Sequence, residues 1–157
     1  MHLKLREIAV AAGRMPQDGA QVVTSSASSA LFEGIADNGL QFLDWIHTPE
    51  DHLGMAVQRL RSALRCRAAW KLHGEGQTPE EFIPQIAALS LQSPDTTARR
   101  LAFLHHDLRA PFVHAYWCGE MAVDRVWSKV EPDRRGDFWD YLYHNMHTPK
   151  TLEDHWA

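Results

Sequence analysis

The chain has 157 residues, a formal net charge of −4, 45% apolar residues and 23% charged residues. That is long enough for one globular domain with its own core, and too acidic to suit a nucleic-acid partner, which asks for a basic surface. Two cysteines, Cys66 and Cys118, lie far apart with no CxxC spacing, which excludes a disulfide framework or zinc ribbon and leaves two reduced thiols. The start, Met1-His2-Leu3-Lys4-Leu5-Arg6-Glu7, interleaves charge with apolar residues and does not read as a secretory leader. No run approaches the roughly 18 apolar residues of a membrane span, so a cytoplasmic protein without membrane contact is expected.

The pattern is helical nearly throughout. Leu3, Leu5, Ile8 and Ala12 predict a first helix stopped near Gly13, and Pro16, Asp18 and Gly19 mark a loop. Ser25 to Ile46 reads as one second helix, apolar on more than one face and therefore well buried. Gly34 and Gly39 each weaken it by about 1 kcal/mol, and glycines in a buried helix point to close approach by another backbone. Thr48-Pro49-Glu50-Asp51 is a strong start signal: a capping threonine, a proline at the first helical position, and acids at the positive end of the dipole. That helix runs to about His73. Thr78-Pro79-Glu80-Glu81 repeats the grammar with a capping box, and Ser93-Pro94-Asp95, Pro111 and Pro132-Asp133 open three more helices. Thr148-Pro149 starts a short terminal turn. No alternating strand of useful length occurs. The expected fold is all-α, about seven helices in a single domain spanning residues 1–157.

Four groups of residues carry candidate chemistry. Glu33 and Asp37 stand four apart, so both carboxylates share one helix face, and a buried carboxylate needs a partner or a metal. His105-His106-Asp107 and His114 are possible ligands, although neighbours on a helix point about 100° apart and chelate poorly. His144 and His147 have chelating separation, and with His155 they suggest a metal-storing or regulatory bundle. Tyr116 lies in Tyr116-Trp117-Cys118-Gly119-Glu120, where it can present a phenol to a cavity and stabilise an oxyanion, while Gly119 implies tight packing. Zinc-binding HExxH, GxSxG and phosphate-binding glycine loops are absent from the sequence.

In order and spacing, several segments resemble the C-terminal part of a bacterial family of uncharacterised, helical, gluzincin-like metallopeptidases similar in design to thermostable carboxypeptidases. Phe32-Glu33-Gly34-Ile35-Ala36 resembles the EGWA segment of that family. Leu72-His73 resembles the GLH helix end, and Gln77-Thr78-Pro79-Glu80-Glu81 the segment after it. Tyr116 to Glu120 resembles the tyrosine–glycine helix, and Phe138-Trp139-Asp140-Tyr141-Leu142 through Pro149, Leu152 and Glu153 the closing motif. His2-Leu3 falls where the zinc motif would end.

The resemblance implies a zinc site with Glu33 as third ligand and His2 as second. It also implies a peptide substrate, Tyr116 as the oxyanion-stabilising catalytic residue, and His73 and His114 lining the substrate cleft. The histidine–glutamate pair that would supply the first ligand and general base is absent. Ile35 replaces the tryptophan of EGWA, and Pro111-Phe112-Val113-His114 replaces the proline–glycine–glutamine run. The expectation is a metallopeptidase-like helical domain inactive by itself, either the C-terminal portion of a longer protein or a remnant. The alternative is a non-enzymatic helical binding or oligomerisation module, with a homo-oligomer driven by an exposed Trp/Phe surface.

Overall fold

In the computed structural model the described residues are 2–20, 28–145 and 147–156, and the side chains of residues 2–5, 19 and 20 are not described. Among the described residues the fold is all-α, with helices and 3-10 turns and no strand. The α-helices are α1 (His2–Ala11), α2 (Ser29–Asp37), α3 (Gly39–Phe42), α4 (Pro49–His73) and α5 (Pro79–Ser90), followed by α6 (Pro94–Leu101), α7 (Val113–Trp127), α8 (Arg135–His144) and α9 (Pro149–Trp156). Contacts divide the chain into two units, residues 1–38 with 118–157, and residues 39–117.

The starts of α4 and α5 follow from sequence. The Thr48 side chain accepts from the Asp51 N–H at 3.2 Å, and the Asp51 carboxylate accepts from the Thr48 N–H at 2.9 Å, so two of the orphan donors at the helix start are satisfied reciprocally. At α5 the Thr78 N–H donates to the Glu81 carboxylate at 2.6 Å. Proline occupies the first turn of α4, α5 and α6.

The expected single helix over 25–46 is corrected to two short ones. The break falls at Asn38, which caps α2: its N–H still donates to the Gly34 carbonyl at 3.0 Å, and its buried side chain donates to the Gly34 and Glu120 carbonyls. After the break Leu40, Leu43 and Trp45 are exposed, so the strong burial expected across that span holds only for α2. The expected long helix from Pro111 to Val130 begins as a 3-10 turn at Ala110–Phe112 and is α-helical from Val113 to Trp127. Residues 25–27 of the expected second helix lie outside the described residues.

The unit of residues 39–117 is built around α4. Leu64, Ala68 and Ala69 of that helix pack with Phe82 and Ile86 of α5, Leu101 of α6, Leu104 and Val113 into one apolar cluster. Burying the larger of these side chains (leucine, isoleucine, valine, phenylalanine) contributes about 1.5–3 kcal/mol each. The unit of residues 1–38 and 118–157 packs α1 against α8 and holds an aromatic cluster. Trp127 tilts on Phe138 with centroids 5.7 Å apart, and Phe138 meets Trp156 edge-on at 5.1 Å. Arg135 lies over the Trp127 ring at 4.6 Å and Arg134 over Trp156 at 4.8 Å.

Candidate functional site

Glu33 sits half-buried on α2, whose backbone is pressed onto α7. A Cβ built on Gly34 would overlap the Gly119 carbonyl group, and one on Gly119 would overlap the Ala30 carbonyl oxygen. The glycines are therefore required by approach of two backbones, as their setting in the sequence implies. Gly39 has no such reason, since a Cβ there would meet nothing within 4 Å. Asn38 ties the same two helices: its Nδ2 donates to the Gly34 carbonyl at 2.9 Å and to the Glu120 carbonyl at 3.0 Å.

Partial burial, and after it the neighbouring Asp37 charge, push the Glu33 carboxyl above the ordinary range. Glu33 and Asp37 thus set two carboxylates on one face of α2. His2 begins α1, and its side chain, named as the second zinc ligand, lies outside the described residues. Among the described residues no three His, Cys, Asp or Glu side chains converge as a metal group.

The histidines proposed as a chelate near the C-terminus each have a neighbour within the protein. His144 Nδ1 lies 2.8 Å from the Asp140 carboxylate, and His147 Nε2 donates to the Leu142 carbonyl at 3.0 Å. His155 stacks flat on Tyr141 with centroids 4.5 Å apart.

In the unit of residues 39–117 two hollows stand out. The first, about 510 Å³, is bordered by His73 and His114 together with Trp70, His105, His106 and Asp107. Two residues expected to line one cleft are thus brought to one hollow. His73 Nε2 donates to the Leu104 carbonyl at 2.9 Å, because a carbonyl only accepts. His106 Nδ1 accepts from the Leu108 N–H at 3.2 Å. Each of these rings has one nitrogen already engaged by backbone.

Tyr116 is half-buried in the first turn of α7, its ring edge-on to Phe112 at 5.4 Å, and it carries the Arg65 guanidinium over its face at 5.1 Å. That cation over the ring links it to the second hollow.

The second hollow, about 460 Å³, lies among α4, α5 and α6, and Arg61, Arg65 and Arg100 line it. Its volume is in the range, roughly 300–1,000 Å³, of small-molecule sites. Gly54, Gln58, Arg61 and Arg65 lie along one face of α4 at spacings of four and three, which α-helix geometry stacks into a ridge. Thr97, Arg100 and Leu101 stand at equivalent spacing on α6, and Ser90 closes α5. Arg61 is fixed by donation from Nε to the Ser90 carbonyl at 3.2 Å. Leu64, Ile86 and Leu101 supply an apolar wall.

No carboxylate lines the cavity, and among the described residues none of the three arginines is in an ion pair. The buried Arg65 Nε and the Thr97 hydroxyl, on a residue only 2% exposed, lack hydrogen-bond partners within the protein. Buried polar groups are normally paired, so these two are exceptions; with almost no accessible surface they lie behind the cavity wall, closed to an occupant of the cavity.

Sequence reasoning passed over these arginines, since arginines on a helix usually form a solvated face. The available signal was that none of the three has an acid three or four residues away to pair with.

No family model, no curated protein and no solved structure matches this chain.

Proposed function

We propose that the chain is a non-enzymatic helical binding protein whose ligand seat is the arginine-lined cavity of α4, α5 and α6. The observation that carries the reading is three arginines, Arg61, Arg65 and Arg100, among the residues lining one 460 Å³ cavity with no carboxylate in that lining. Arginine is always charged, and three like charges in a concave, partly apolar wall repel one another unless an anion is bound. In a chain of net charge −4 such a patch is a local inversion of the overall field, which steers anions to it. Two of the guanidinium groups are already held, Arg61 by the Ser90 carbonyl and Arg65 by the Tyr116 ring, so little order must be created on binding.

The test is thermal melting of the full chain against graded sulfate, phosphate and chloride at constant ionic strength. A saturable rise with the divalent anions, lost in Arg61→Gln/Arg100→Gln, is expected. A rise identical in wild type and variant would remove the reading.

A metal-binding remnant of a peptidase is a second reading, supported by the Glu33–Asp37 pair with its raised carboxyl. The described donors stop at those two and do not complete a zinc site, so no hydrolytic step follows from them. Hydrolysis of a peptide by the zinc-loaded chain, abolished in Glu33→Gln, would favour this reading over the first.

A further inference from the structure

We infer that the occupant of the arginine-lined cavity is an organic phosphomonoester: a dianionic phosphate carrying a compact apolar group. The inference rests on the binding reading above and names its ligand class. The charge count comes first. Arg61, Arg65 and Arg100 contribute three positive charges and the lining contributes no negative one. A carboxylate brings a single charge and two oxygens, which suits one guanidinium fork. A phosphomonoester brings about −1.5 to −2 charges near neutral pH and three terminal oxygens, enough to engage guanidinium groups from two helices together.

The placement of the arginines favours the same head group. Arg61 and Arg65 are one turn apart on α4 and Arg100 comes from α6, so two helices supply the positive residues of the lining, which suits an anion with several oxygens. Against three positive charges a carboxylate leaves two without a counter-charge and a dianionic phosphate leaves one. The uncharged wall determines the rest of the ligand. Leu64, Ile86 and Leu101 offer apolar surface that inorganic phosphate cannot cover, whereas a phenyl-sized substituent can. A Cβ at Gly54, also in the lining, would stand in open space, so the α4 side of the cavity is left clear at that point.

Isothermal titration of the full chain with phenyl phosphate, inorganic phosphate and benzoate tests this. Phenyl phosphate should bind about tenfold or more tightly than either other probe, one margin coming from the additional charge-assisted bonds and the other from the buried ring. Its affinity should rise as pH increases through the second phosphate pKa near 6, while benzoate affinity stays flat there. Arg100 is exposed, so Arg100→Gln should fold as wild type and weaken phenyl phosphate about tenfold. Arg61→Gln supplies a second variant, with circular dichroism to verify its fold.

Equal binding of benzoate and phenyl phosphate, both weakened in Arg100→Gln, would overturn the phosphate class and leave the anion-binding reading standing. Absence of binding by all three probes, or binding indifferent to both substitutions, would overturn the two together.

Discussion

Placing the same methyl group at two helical glycines should change stability in opposite directions. Alanine is favoured over glycine in a helix interior by about 0.5–1 kcal/mol. At Gly54 a Cβ meets nothing within 4 Å, so Gly54→Ala should gain that amount in full. At Gly119 the new methyl overlaps the Ala30 carbonyl, and because the obstacle is backbone, no rotamer change relieves it. The helices must part, at the cost of about 1–3 kcal/mol usual for overpacking. Parting them also stretches the Asn38–Glu120 bond of 3.0 Å, whose loss adds about 1 kcal/mol. Against the propensity gain, Gly119→Ala should be destabilised by about 1–3 kcal/mol. For a chain of this length each kcal/mol moves the melting temperature by about 2–4 °C. Circular dichroism melts of the two variants should therefore shift in opposite directions. Equal stabilisation of both would refute the backbone-contact account of α2 and α7.

Three further outcomes are expected. Thr97→Val replaces a buried, partnerless hydroxyl by a methyl of similar shape and should raise the urea midpoint, by up to about 1–3 kcal/mol of stability; a comparable fall would mean the hydroxyl has a partner. Burial, only partly offset by its bond to the Leu142 carbonyl, holds the His147 imidazole below its ordinary pKa, because protonation would place a donor on the buried Nδ1 with no acceptor. Its folded pKa being the lower one, stability is full above the unfolded value of about 6.5 and falls as pH drops from there toward the folded value; His147→Gln should flatten that slope in melts across the acid range. Thr48→Ala should cost about 1 kcal/mol through the lost cap. The same change should move the Asp51 carboxyl, now held low first by the Thr48 N–H and then by its hydroxyl, back toward the ordinary value in an NMR titration.

Helix starts were legible because their causes are local. Threonine, proline and a following acid satisfy orphan donors within four residues, and α4 and α5 begin where that grammar says. The all-α class followed from the same period. Gly34 and Gly119 were readable as close-approach positions, though not as each other's partners, since 85 residues separate them and only the fold supplies the pairing. The break at Asn38 was hidden because apolar residues continue at helical spacing through Phe42 and Ile46, while the side chain at the break bonds to a carbonyl far along the chain. His73 and His114 were singled out and do border one hollow, but the arginine cavity was not foreseen. Its walls come from three helices, and a charge on one helix says nothing of the cavity it borders until the others are placed. His144 and His147 show the converse: at chelating separation in sequence, each engages one ring nitrogen with a neighbour, Asp140 for one and the Leu142 carbonyl for the other, which spacing alone does not reveal.

The distribution of indoles has a practical consequence. Trp45, Trp70 and Trp117 belong to the unit of residues 39–117, and Trp127, Trp139 and Trp156 to the other. Trp45 and Trp70 are each 63% exposed, whereas Trp127 and Trp156 lie in ring-on-ring packing beneath arginine side chains. The latter group should emit at shorter wavelength and redden when its surroundings loosen, while Trp45 and Trp70 already emit as hydrated chromophores. Intrinsic fluorescence thus follows the loosening of the ring cluster against the steady emission of Trp45 and Trp70, without any added label.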